Sequence, residues 1–251
     1  MGREKRSGAE FAVQPTEAER VWDAEGVSIL RARASLPQPT APSRRWRKIR
    51  AFYRLQNRAF FRYCQAELRP FAEAEYRTAR ENGVPLPDFR AELTFQETYR
   101  AGRWWSLYTE LWENAAPGVP TRRRWGDTWD LTTGYPAPLS DFFPPRSHWK
   151  RKLLALAAEE IERREKRGIS VYRPDWRRRL RRSFNPRDYY LTPDGVVFFF
   201  PMYALAPPME GIPCFVCPWA ETAFPDAAPL PPADSSQSPE NALYNPPCAM
   251  L

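Results

Sequence analysis

The sequence predicts an α+β protein: antiparallel sheets packed by one long helix in the N-terminal half and by two helices in the C-terminal half. Three observations carry this. Residues 27–36 and 89–99 alternate apolar and polar side chains, the period of a half-buried strand. Residues 42–81 repeat their apolar side chains at helical spacing. After residue 146 two further helical stretches precede a short run of strands.

Leu30, Ala32, Ala34 and Leu36 share one face of the first strand, with Arg31 and Arg33 on the other. Pro37-Gln38-Pro39 ends it. The long helix follows, with Ser43 as its expected N-cap. Ile49, Phe52, Tyr53, Phe60, Tyr63 and Cys64 make its apolar stripe, and Gly83 stands just past its end. Pro70 inside it predicts a kink near Arg69. Phe89, Ala91, Leu93, Phe95 and Tyr99 then define the clearest strand. Aromatic-rich residues 104–112 and residues 121–131 follow it across turns at 101–102 and 115–120, which predicts an antiparallel meander.

A proline-rich connector at 135–146 precedes a helix starting near Ser147. Its stripe is Trp149, Leu153, Leu156, Ala157 and Ile161, and Gly168 ends it. Tyr172, Trp176 and Leu180 mark a short helix, and strands are expected at 189–191, 196–200 and 213–218. Thr192-Pro193-Asp194-Gly195 is a turn, because proline fixes one φ and glycine supplies another. The expected organisation is a loosely ordered start (1–26), an N-terminal α+β domain (27–134), a C-terminal domain (135–224) and a disordered proline-rich tail (225–251).

The 251 residues carry 38 Lys+Arg against 30 Asp+Glu, a net of +8. Both ends are acidic, so residues 27–224 hold +13. Only 5 of the cations are lysine. His148 is the one histidine, which excludes HExxH and multi-histidine metal sites. No apolar run reaches the 18 residues of a spanning helix, and no signal-peptide core follows the charged start. A cytoplasmic protein with no membrane association is expected.

Cys214-Phe215-Val216-Cys217 is spaced as a redox pair or half a zinc site. Zinc would need two more ligands from Cys64, Cys248 and His148, which lie on separate elements. On a strand, positions three apart face opposite sides, so both cysteines are read as strand residues. Asp127 and Asp130 are separated in the same way. Glu159, Glu160 and Glu162 lie on an arginine-rich helix and predict ion pairs within it. Ser147 beside His148 shows no nucleophile elbow. The expectation is no catalytic residues, no metal and no cofactor: not an enzyme.

Residues 185–207 (Asn185 to Pro207), with Glu210-Gly211-Ile212-Pro213 and Pro218-Trp219, resemble the RsiV-like domain, best known from the extracellular part of an anti-sigma factor that senses lysozyme. Residues 128–134, leading to 139–142, look like that family's entry into its C-terminal domain. Residues 92–113 look like the hairpin of the small domain that precedes it, so the resemblance spans about residues 27–220. It implies an α+β architecture and a non-catalytic protein-binding or sensory role. The chain is expected to depart from the sensors in having no membrane anchor and no anti-sigma domain, and residues 114–118 lack the glycine- and histidine-rich turn common at that point. Its positive charge opposes lysozyme, itself strongly basic, so lysozyme is not an expected partner.

The partner is expected to be a protein, met by the proline-stiffened loop holding Tyr203, Leu205, Pro207, Pro208, Met209 and Glu210. The second-ranked partner is a polyanion such as nucleic acid, met by Arg44, Arg45, Arg47 and Arg50 and by Arg177, Arg178, Arg179, Arg181 and Arg182.

Overall fold

In a computed structural model residues 11–40, 43–114 and 120–224 are described. They form nine strands and four α-helices, and the strands make two sheets, one six-stranded in the order β1 to β6 and one three-stranded. The chain divides into two compact units. Of the described residues, the first holds those up to 95, with 109–114, 120 and 130–135; the second holds 96–108, 121–129 and 136–224. The boundary expected near residue 135 is therefore too simple, because β3, β4 and β5 each contribute residues to both units.

In the first unit, β1 (Val13–Ala24) pairs antiparallel with β2 (Val27–Pro39). Glu25 and Gly26 link them with φ of 50° and 80°, the two left-handed residues of a tight hairpin turn whose twist matches its strands. This corrects the expected loose start for residues 13–26; residues 1–10 lie outside the described residues. β1 is an edge strand with mostly exposed side chains, so it carries no apolar alternation to read. An edge also tolerates Pro15. In β2, Ile29, Leu30, Ala32, Ala34 and Leu36 are buried.

Next comes α1 (Trp46–Tyr63). The backbone N–H of Arg45 bonds the Ser43 hydroxyl at 3.3 Å, so Ser43 closes the turn ahead of the helix and caps none of its own N–H groups. The expected kink is a π-turn, Cys64–Leu68, running into α2 (Arg69–Asn82). Pro70 has no N–H for the carbonyl four residues back and its ring crowds it; a widened turn absorbs that mismatch inside a continuous helix. Gly83 and Val84 close the end, bonding the carbonyls of Arg80 and Ala79 at 3.3 and 3.0 Å. The two-helix return brings β3 (Arg90–Ala101) beside β2 in parallel, Arg31–Ala34 against Arg90–Leu93, an exception in an otherwise antiparallel-rich fold. Burial, with the nearby Glu113 carboxylate, pushes the Cys64 thiol up to about 12.

β4 (Trp104–Asn114) and β5 (Thr121–Asp130) follow β3 in the sheet in the predicted order, and the short β6 (Tyr135–Pro136), in the stretch expected to be a connector, adds a sixth strand. The turn expected at 115–120 falls almost wholly outside the described residues, as does the expected tail.

The second unit is built around β7 (Tyr189–Thr192), β8 (Gly195–Phe199) and β9 (Cys214–Pro218), all antiparallel. One face packs with α3 (Trp149–Lys166) and α4 (Trp176–Ser183) through Leu153, Ile161, Trp176, Leu180, Phe198 and Phe215. The other carries Tyr190, Val197, Phe199 and Cys214, with Tyr108 against them. Burial on both faces explains why residues 196–200 read as a continuous apolar run. The Ser106 hydroxyl joins the layers: it lies 2.7 Å from the Thr128 hydroxyl and accepts the Leu191 N–H at 2.8 Å.

Asp188, just ahead of β7, is partly buried, and this pushes its carboxyl up to about 6 from 3.8 despite a 2.8 Å hydrogen bond from the Asn185 amide. A carboxyl whose folded pKa is raised favours the folded state below the unfolded pKa. The advantage is lost as pH rises between about 3.8 and 6. Asp188→Asn is expected to add about 1–2 kcal/mol at pH 8 and nothing at pH 3.5, read from urea midpoints at the two pH values. An equal effect at both would remove the titration from the account.

Candidate functional site

The segment from Pro201 to Pro213 links β8 to β9 and contains the loop singled out from sequence. Leu205 is fully buried in the core. It anchors the loop and is not open to a partner, which corrects its assignment as a binding residue. A leucine between two alanines gives no sequence sign of which way it faces. The Ala204 N–H bonds the Pro201 carbonyl at 3.0 Å, and Phe200 and Pro213 pair across the base at 2.9 Å. Tyr203 sits at φ 70° and is half-exposed, a conformation that costs a non-glycine residue about 1–2 kcal/mol. Pro208–Glu210 form one 3₁₀ turn. At its outermost point Met209 is 89 % exposed.

A second segment lies alongside. The Arg173 N–H donates to the Leu205 carbonyl at 2.9 Å, and the Val171 N–H donates to Glu210 Oε1 at 3.0 Å. Glu210 thus ties the two segments together through one carboxylate oxygen. Ile169 and Val171 are 57 % and 64 % exposed. With Met209 they place three exposed apolar side chains on two adjoining, hydrogen-bonded segments. Ile169 and Val171 escaped the sequence reading, although two β-branched residues just past a helix-ending glycine, outside any periodic stripe, were a usable sign.

The charged helices divide. Glu160 accepts from Arg163 at 2.7 Å and from Arg164 at 2.6 Å, the intrahelical pairs that were expected. Burial raises the Glu160 carboxyl, and the two guanidiniums more than offset it, holding it below the usual range. Arg164 also reaches the Cys214 carbonyl at 3.3 Å. Glu162 pairs instead with Arg177 of α4 at 2.8 Å. Asp175 takes Arg178 at 3.0 Å and Arg179 at 2.7 Å. Arg181 and Arg182 are exposed. In the first unit Arg44, Arg45 and Arg47 are exposed, whereas Arg50 is partly buried against the carbonyls of Pro39 and Ser43. The two clusters belong to different units.

Cys214 and Cys217 lie in separate apolar clusters on opposite faces of β9, as the strand period requires. Burial pushes the Cys217 thiol up to about 11. Among the described residues no group of three or more His, Cys, Asp and Glu side chains could hold a metal ion. No helix among them is long and apolar enough to cross a membrane. His148 lines a cleft of about 380 Å³ with Phe143, Ser147, Trp149, Lys152 and Glu221. The Ser147 hydroxyl is buried without a hydrogen-bond partner. Asp130 accepts the Thr132 N–H at 2.8 Å, the chemistry of a turn.

Part of the second unit is similar to a known class of domain. Residues 140–220 fit the family model described as a protein of unknown function, DUF3298. The fold extends the likeness to most of the chain. A DUF3298 family member from Bacteroides fragilis NCTC 9343 is 12 % identical over 83 % of this chain and 90 % of its own, with a TM-score of 0.59. A DUF3298 family protein from Pseudomonas aeruginosa PAO1 is 11 % identical over 84 % of this chain and 92 % of its own, with a TM-score of 0.54. At such identities the likeness is one of fold. No curated protein matches the chain.

Proposed function

We propose that the chain is a non-catalytic protein-binding module, in the manner of the RsiV-like ligand-binding domain it resembles, and that the loop holding Met209 meets the partner. The observation that supports this is Met209 itself, 89 % exposed at the tip of a turn stiffened by Pro207 and Pro208. An exposed flexible thioether adapts to a partner surface, and a stiff loop presents it with little ordering cost. A second reading is polyanion binding through Arg181, Arg182, Arg44, Arg45 and Arg47, which are exposed. Arg177, Arg178 and Arg179 are already ion-paired, so the first reading is preferred.

Quantitative affinity capture from the source organism tests it. The wild-type chain is expected to enrich at least one protein that Met209→Asp and Tyr203→Ala variants lose. Identical profiles for all three would overturn the reading.

A further inference from the structure

We propose that the ligand of this loop is an acidic, extended protein segment: an apolar side chain of that segment seats on Ile169, Val171 and Met209, and its carboxylates meet Lys166 and Arg167. This rests on the protein-binding reading above and specifies the partner's chemistry.

The platform is rigid where it needs to be. Gly168 and Ile169 close α3 by bonding the carbonyls of Glu165 and Arg164, each at 3.0 Å. In such a closure the apolar residue after the glycine ordinarily packs back on the last helical turn. Here Ile169 stays 57 % exposed. Two residues on, the Val171 N–H is held by Glu210, the residue after Met209. Single exposed apolar residues are ordinary, whereas a group of them on ordered backbone marks an interaction surface.

Charge decides what covers it. Residues 163–173 hold five basic residues and one acidic residue, Glu165. Arg163 and Arg164 share Glu160, leaving Lys166 and Arg167, both exposed, next to Ile169. Glu210, which follows Met209 in the chain, is engaged with Val171. A partner brings its own negative charge or leaves these cations unmatched. A second copy of the chain is a poor occupant, because residues 27–224 carry +13 and like charges oppose docking.

The test uses the full chain and three fluorescein-labelled heptapeptides in a polarisation titration. The first is Asp-Glu-Leu-Asp-Phe-Glu-Asp; the second replaces its acids by Asn and Gln, the third by Lys. The acidic peptide is expected to bind with a Kd of about 100 μM at ~50 mM salt. It should weaken at least tenfold in Met209→Asp and about fivefold in a Lys166→Gln, Arg167→Gln double variant. It should also weaken severalfold at ~300 mM salt.

If the neutral or basic peptide binds as tightly, with the same loss in Met209→Asp, the docking surface stands and its acidic partner does not. If no peptide binds below ~1 mM, the acidic segment is overturned, and the capture experiment decides separately whether the protein-binding reading falls with it. If a single-stranded DNA 20-mer binds more tightly, needs Lys166 and Arg167 and ignores Met209→Asp, the ligand is a nucleic acid and the proposal fails.

Discussion

Gly126→Ala is expected to destabilise the second unit by about 3 kcal/mol or more, and to lower Tm by roughly 10 °C. Gly126 lies on β5, and a Cβ added there would stand 1.8 Å from the Tyr189 carbonyl oxygen and 2.5 Å from its carbon. The obstacle is backbone, so no rotamer change relieves it. Moving β7 away is resisted from several sides. The Leu191 N–H is held by Ser106, the Tyr189 hydroxyl donates to the Ala137 carbonyl at 2.5 Å, and β8 pairs along its length. Gly102→Ala is the control. It adds a Cβ with nothing within 4 Å at φ 56°, so only backbone strain remains, about 1 kcal/mol. Urea unfolding of both variants separates the mechanisms; equal losses would mean that close approach at Gly126 is not the cause.

The Gly126 contact also marks a boundary of what the sequence can say. The long helix, the meander and the strands after residue 188 were legible because each repeats its apolar residues with its own period. Their ends followed from glycine and proline. β1 was not, because an edge strand with exposed side chains has no apolar alternation to show; only Glu25-Gly26 hinted at it. The division of β3, β4 and β5 between two units was also out of reach, since strand length is visible in a sequence and strand sharing is not. In the candidate site the prolines and Met209 were legible. Ile169 and Val171 carried one local sign, the β-branched pair after Gly168, and nothing local pointed to Glu210, which holds Val171 from 39 residues away. That Glu210 ties two segments together depends on the position of the Val171 N–H, which no local pattern shows.

Trp105→Ala is expected to cost about 4 kcal/mol and Trp105→Phe about 1–2 kcal/mol. Trp105 has no exposed surface. Packing holds it, and so does a hydrogen bond from its indole N–H to Glu97 Oε2 at 2.8 Å. Phenylalanine retains most of the ring contact and loses the donor. Glu97 keeps the Arg100 Nε at 2.8 Å, so its carboxylate is left with a cation, which limits the penalty. Alanine removes the ring as well and leaves a cavity at a fully buried position, where close-packed neighbours collapse only in part. The ratio of the two losses is therefore the informative quantity. A ratio near two or above, from urea midpoints at constant m-value, places the energy in packing. A ratio near one places it in the hydrogen bond, and Glu97→Gln would then have to reproduce most of the loss by weakening the acceptor while keeping its shape.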